Sequence, residues 1–160
     1  MTDASKSLVE TLRGRALVIL RRAEWLAPLL GRLAVGLLFM STGWGKVHDI
    51  PKVTAFFQQL GIPAPGFHAV LVGYSELVCG SLLVLGLLTR LATVPLIVSM
   101  IVAILTAKRA ELHGLFDLVG FDEFTYLCVL VMLAIIGPGR AAVDRLVVRR
   151  LQWEPEPRSG

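Results

Sequence analysis

Arg32-Leu33-Ala34-Val35-Gly36-Leu37-Leu38-Phe39-Met40-Ser41-Thr42-Gly43-Trp44-Gly45-Lys46 is the stretch that decides the fold. It is largely apolar and bounded by two cations. At about 100° per residue, Arg32, Gly36, Phe39, Gly43 and Lys46 share one helical stripe roughly 80° wide. The apolar run extends back to Leu26, and residues 26–45 suffice to cross about 30 Å of hydrocarbon. A permanent cation inside such a run is costly and calls for a partner or a function. The next apolar run, about 67–88, carries an acid, Glu76, with Gly73 and Gly80 on its face. Small residues on one stripe let a second helix approach closely.

The composition agrees. Of 160 residues, 55% are hydrophobic and 18% charged, where a soluble domain carries about 25% charged residues. Mean hydropathy is +0.71. The charges gather at the ends and in connections, which indicates one integral membrane domain. A net charge of +4 does not imply nucleic acid, because the cations flank apolar runs and form no groove-reading motif. Cys79 and Cys128 lie singly in apolar runs, with no Cys-x-x-Cys pair for redox or metal chemistry. The N-terminal segment lacks the pattern of a cleaved signal peptide.

Residues 1–24 read as a basic amphipathic segment on a membrane face, with Leu8, Leu12, Arg13, Arg15, Leu17, Leu20, Arg21 and Arg22 at helical spacing. After the first span, Asp49-Ile50-Pro51 starts a short interfacial helix with Val53, Phe56, Phe57 and Leu60 on one side. Thr89-Arg90 is a tight connection between the second span and a third at 91–107. Leu115-Phe116 and Leu118-Val119 give the polar connection 108–123 an apolar centre that dips onto the membrane surface. A fourth span is expected at about 124–143, across the break at Gly137-Pro138-Gly139, and residues 151–160 are expected to be disordered.

The expected fold class is all-α: a polytopic membrane four-helix bundle with short amphipathic interfacial helices. Lys6, Arg13, Arg15, Arg21, Arg22 and Arg90, with Arg140, Arg145, Arg149, Arg150 and Arg158, fall on one side. Lys46, Lys52, Lys108 and Arg109 fall on the other, offset by Asp49, Glu111, Asp117, Asp122 and Glu123. The positive-inside rule therefore puts both termini in the cytoplasm of a cell (inner) membrane protein.

The candidate intramembrane polar site is Arg32, Glu76 and Lys46. Arg32 lies about 10 Å above the inner end of its span and Glu76 about 18 Å above that of the second, a gap that two long side chains can close. Side chains lean toward their helix N-terminus, however, which draws Arg32 inward and Glu76 outward. Lys46, leaning down from the outer edge, is the competing partner, and His68 and Tyr74 are candidate hydrogen-bonding neighbours. Two readings stand side by side: a charge network that fixes helix register, or a site for a proton, a quinone headgroup or a small polar solute. His48, His68 and His113 are not spaced as metal or haem ligands. No phosphate loop or nucleophile–base motif is present, so no self-contained enzyme is expected.

The ordered motifs resemble the DoxX family of small four-span membrane proteins. The resemblance covers about residues 30–150. It rests on Arg32-x3-Gly36-x2-Phe39-x3-Gly43-x2-Lys46, Gly61-Ile62-Pro63, Gly73-x2-Glu76-x3-Gly80, Gly86-x2-Thr89-Arg90, Gly120-Phe121-Asp122-Glu123-Phe124 and Gly137-Pro138-Gly139-Arg140 with Asp144. It departs at Ala141-Ala142-Val143, where the family more usually has aromatic-serine-leucine, and in a thinner glycine stretch before Glu123. It implies a four-span domain over 25–150 and a membrane subunit or anchor in quinone-linked redox or in defence against oxidative and thiol stress. No motif calls for a cofactor; a quinone is the one the resemblance brings forward. Expected partners are membrane lipids with redox proteins or a second copy of the chain, and no nucleic acid. A solute or proton carrier, or a scaffold without chemistry, is the alternative.

Overall fold

A computed structural model of the chain describes residues 18, 21, 23–139, 142 and 143. The basic segment before Arg21 (Val18 apart), Arg140, Asp144 and the 151–160 tail lie outside the described residues. Those residues form six helices: α1 (Leu26–His48), α2 (Ile50–Gln59), α3 (Pro65–Leu85), α4 (Thr89–Thr106), α5 (Leu115–Gly120) and α6 (Asp122–Ile136). Helices α1, α3 and α4 are long and apolar enough to cross a membrane.

Local chemistry sets the boundaries. Pro28 stands in the first turn of α1, where its missing N–H breaks no ladder. Asp49 caps α2 by accepting the Lys52 N–H at 3.2 Å. Helix α3 closes with a left-handed Gly86 at φ +70°. The Leu87 N–H reaches back to the Leu82 carbonyl at 2.9 Å and that of Gly86 to Leu83 at 3.1 Å, the paired bonds by which a glycine terminates a helix. Gly137, at φ +85°, ends α6.

These caps move three expected boundaries. Helix α1 runs past residue 45 to His48, so Lys46 is helical rather than part of a loop. The turn between the second and third long helices is Gly86–Leu88, and Thr89 and Arg90 begin α4. The expected fourth span, 124–143, is not one helix, because Gly137 stops it at Ile136. Its 15 residues reach about 22 Å at about 1.5 Å each, short of a hydrocarbon core about 30 Å thick.

Four helices pack in a ring, α1 on α3, α3 on α4, α4 on α6 and α6 on α1, while α2 rests on α3. Val35, Phe39, Leu83, Ala92, Leu96, Met100, Leu130 and Leu133 fill the centre. The Phe39 ring meets that of Tyr126 edge-on at 6.5 Å.

Candidate functional site

The α1–α3 contact is antiparallel and its register is written in glycine. A Cβ on Gly36 would strike Val84 and the Gly80 carbonyl, one on Gly80 would strike the Met40 nitrogen and the Gly36 carbonyl, and one on Gly43 would strike the backbone of Leu77 and Glu76. Gly73 faces Val47 and the Lys46 Cβ. Backbones in such contact leave no freedom to slide, so each polar side chain has a fixed opposite number.

Near the C-terminal end of α1 in this seam, Lys46 Nζ lies 2.6 Å from both Glu76 Oε1 and Oε2. The Thr42 hydroxyl donates to Oε2 at 3.0 Å and the Ser99 hydroxyl donates to Oε1 at 3.2 Å. The carboxylate is 1% exposed, whereas the Lys46 side chain is 30% exposed. A carboxylate has about four lone-pair sites. Lys46, Thr42 and Ser99 together give it four contacts, with the one Thr42 hydroxyl proton shared between Oε2 and the Phe39 carbonyl at 3.2 Å. The site joins α1, α3 and α4 through one acid.

Arg32 takes no part in it. It is buried at the other end of the seam, where its guanidinium lies against Gly86 and near the backbone of Ala142. Ten residues separate Glu76 from Gly86, about 15 Å along the helix, beyond the reach of the pair. The lean of side chains toward helix N-termini separates Arg32 from Glu76 and brings Lys46 down as Glu76 rises. His68 turns its Nδ1 to the Pro63 carbonyl at 2.8 Å, and Tyr74 is exposed, so neither joins the acid. Thr42 and Ser99 take the places expected for them. Thr42 was legible in principle, being four residues before Lys46 on its face. Ser99 carried only the signal of a lone hydroxyl in an apolar run.

Several of the remaining motif residues build a floor at the Arg32 end of the bundle. Arg90 donates through Nη2 to the Ile135 carbonyl at 3.2 Å and its guanidinium lies beside Gly137. Gly139 approaches Pro28, and Ala142 approaches Gly86. Thr89 is buried at the start of α4, and Pro138 is partly buried. Gly137, Gly139 and Ala142 thus lie against Arg90 at the start of α4, Pro28 at the start of α1 and Gly86 at the end of α3. Glu123 lies in the first turn of α6. There it lines an open cavity of about 540 Å³ with Lys108, Glu111, Phe116, Asp117 and Asp122.

Gly86→Ala tests the floor. It forces a Cβ into a left-handed turn and into the space the Arg32 guanidinium occupies. The expected loss is about 1–3 kcal/mol, read as a lower unfolding midpoint in detergent, with Gly114→Ala, in open space, as the reference. Equal midpoints would remove the floor from the account.

The DoxX family model matches residues 27–109. The membrane protein Rv3486 of Mycobacterium tuberculosis is 39% identical over 130 residues, 74% of this chain and 80% of its own length. CatD of Bacillus subtilis, whose name designates it a proposed oxidoreductase, is 32% identical over 126 residues, 78% of this chain and 89% of its own. The inner membrane protein YqjF of Escherichia coli is 25% identical over 131 residues, 82% of this chain and 99% of its own. No solved structure matches the chain.

Proposed function

Starting from the fact that the chain belongs to the DoxX family of membrane proteins, we propose that it serves as a membrane subunit or anchor of a quinone-linked redox or oxidative and thiol stress complex. The observation that carries this reading is the buried carboxylate of Glu76, held by Lys46, Thr42 and Ser99. An acid on α3 held by side chains of α1 and α4 works as a clamp between helices. Chemistry then belongs to a partner, and the bundle supplies a fixed surface in the bilayer. The name of CatD supports the redox side of the reading.

A second reading rests on the unequal burial of the pair. Lys46 reaches the surface while Glu76 does not. Withdrawal of the ammonium opens the carboxylate from that side alone, to a proton, a quinone headgroup or a small cationic solute. A subunit and a carrier differ in what copurifies.

The reading includes a four-span topology with both termini in the cytoplasm. Helix α6 then crosses with help from local thinning of the bilayer and from the residues after Gly137. Basic flanks on both terminal sides support it. The test is isolation in mild detergent with mass spectrometry of bound proteins, lipids and quinones, together with reporter fusions at the C-terminus. A copurifying redox protein, a C-terminal reporter active only in the cytoplasm, and loss of stress tolerance in Glu76→Gln are the expected results. Isolation of a bare chain, with unchanged tolerance in Glu76→Gln, sinks the redox role.

A further inference from the structure

We propose that α5 is a lipid-inserted interfacial helix, with Leu115, Phe116 and Val119 set among the headgroups and upper acyl chains of the bilayer. The proposal needs only the membrane placement of α4 and is independent of any redox role. Leu115 is 73% exposed and Val119 56%, and Phe116, which also borders the open cavity beside Lys108, Glu111 and Asp117, is 93% exposed. Single exposed apolar residues are ordinary. These three sit at i, i+1 and i+4 and so share one side of the helix.

The other side is tied down. Asp117 accepts the His113 backbone N–H at 3.0 Å, the Leu118 N–H reaches the Gly114 carbonyl at 3.3 Å, and the Phe121 N–H reaches Leu118 at 3.2 Å. Local bonds therefore hold the turn and present the apolar face without support beneath it. The position names the occupant. The connection leaves α4 at Thr106, next to the exposed Leu105 and Val102, and enters α6 at Asp122. Only residues 107–114 separate α5 from the end of α4, a helix long and apolar enough to cross a membrane, so α5 stands near the depth at which α4 leaves the hydrocarbon.

The driving force is apolar area, not charge. The connection holds Lys108 and Arg109 against Glu111, Asp117, Asp122 and Glu123. An acidic segment gains nothing from anionic lipid, unlike a basic amphipathic helix. Insertion therefore needs no anionic lipid and is no stronger in anionic than in neutral membranes.

The experiment uses the full chain with Trp25, Trp44 and Trp153 replaced by phenylalanine and one tryptophan restored, as Phe116→Trp, Leu115→Trp or, for reference, Glu111→Trp. Each protein enters phosphatidylcholine vesicles with or without phosphatidylglycerol. Expected at 116 and 115 is strong quenching by lipids brominated near the ester end of the chains, at a depth of about 5–10 Å. Aqueous iodide has little effect there and quenches position 111. A nitroxide at Phe116→Cys, with Cys79 and Cys128 replaced by alanine, gives the same depth from oxygen against water-soluble nickel accessibility, whatever the tryptophan background does to folding. Iodide quenching at 116 equal to that at 111 overturns the proposal. So does protection from both quenchers, which assigns the face to a protein partner, or quenching by brominated lipid only in anionic vesicles.

Discussion

Lys46→Met lowers the stability of the bundle by about 3 kcal/mol, and Glu76→Gln by only about 1–2 kcal/mol. The order follows from burial. Without Lys46 the carboxylate stays 1% exposed, held by two hydroxyls and no counter-charge, and an uncompensated buried charge is the expensive case. The lower end of the usual range applies because the lysine is 30% exposed and water screens part of the pair. Without the acid, the ammonium turns outward along its own flexible chain, and a glutamine still bonds Thr42 and Ser99. The double variant is expected to recover part of the Lys46→Met loss, since it removes the orphan. The measurement is the unfolding midpoint in one detergent for the parent, both single variants and the double. A Glu76→Gln loss equal to or larger than that of Lys46→Met would contradict the clamp as described.

Gly43→Val and Gly80→Val separate α1 from α3 and abolish the native bundle, whereas Gly45→Ala changes little. A Cβ at Gly43 meets the Leu77 Cα at 2.8 Å and one at Gly80 meets the Met40 nitrogen at 2.5 Å, while nothing lies within 4 Å at Gly45. A side chain can rotate away from an intruder; a helix backbone must translate. Overpacking costs about 1–3 kcal/mol where neighbours yield, and here the yielding group is an entire helix. Moving it also breaks Lys46 from Glu76, so the two losses couple rather than add. The readout is a monodisperse peak in size-exclusion chromatography, together with a cross-link between cysteines introduced at Val47 and Gly73, which face each other. A native peak and intact cross-link in Gly43→Val would show that packing at this seam is looser than its geometry.

Much of this was legible without coordinates. The stripe from Arg32 to Lys46 and the Gly73-Glu76-Gly80 face predict two closely packed helices, and they pack closely. The Asp49-Ile50-Pro51 signal predicts a helix, and α2 follows it. The boundaries were less legible. Thr89-Arg90 reads as a loop only because Gly86 does not announce, in one dimension, that it closes the helix three residues earlier. The expected fourth span runs through Gly137 because hydropathy does not register a positive φ.

The sequence alone determined that this chain is a membrane protein, that charge would be buried in it, and that small residues would bring two helices together, because hydrophobicity and helical period are properties of the chain itself. Only the tertiary structure decided the partner of Glu76. Arg32 and Lys46 lie on the same stripe with the same sign, and no local rule separates them strongly enough. The antiparallel register of α1 on α3, fixed by backbone contacts at Gly36, Gly43 and Gly80, sets Lys46 beside the acid and Arg32 at the opposite floor, and it brings in Ser99 from a helix that shares no sequence signal with either.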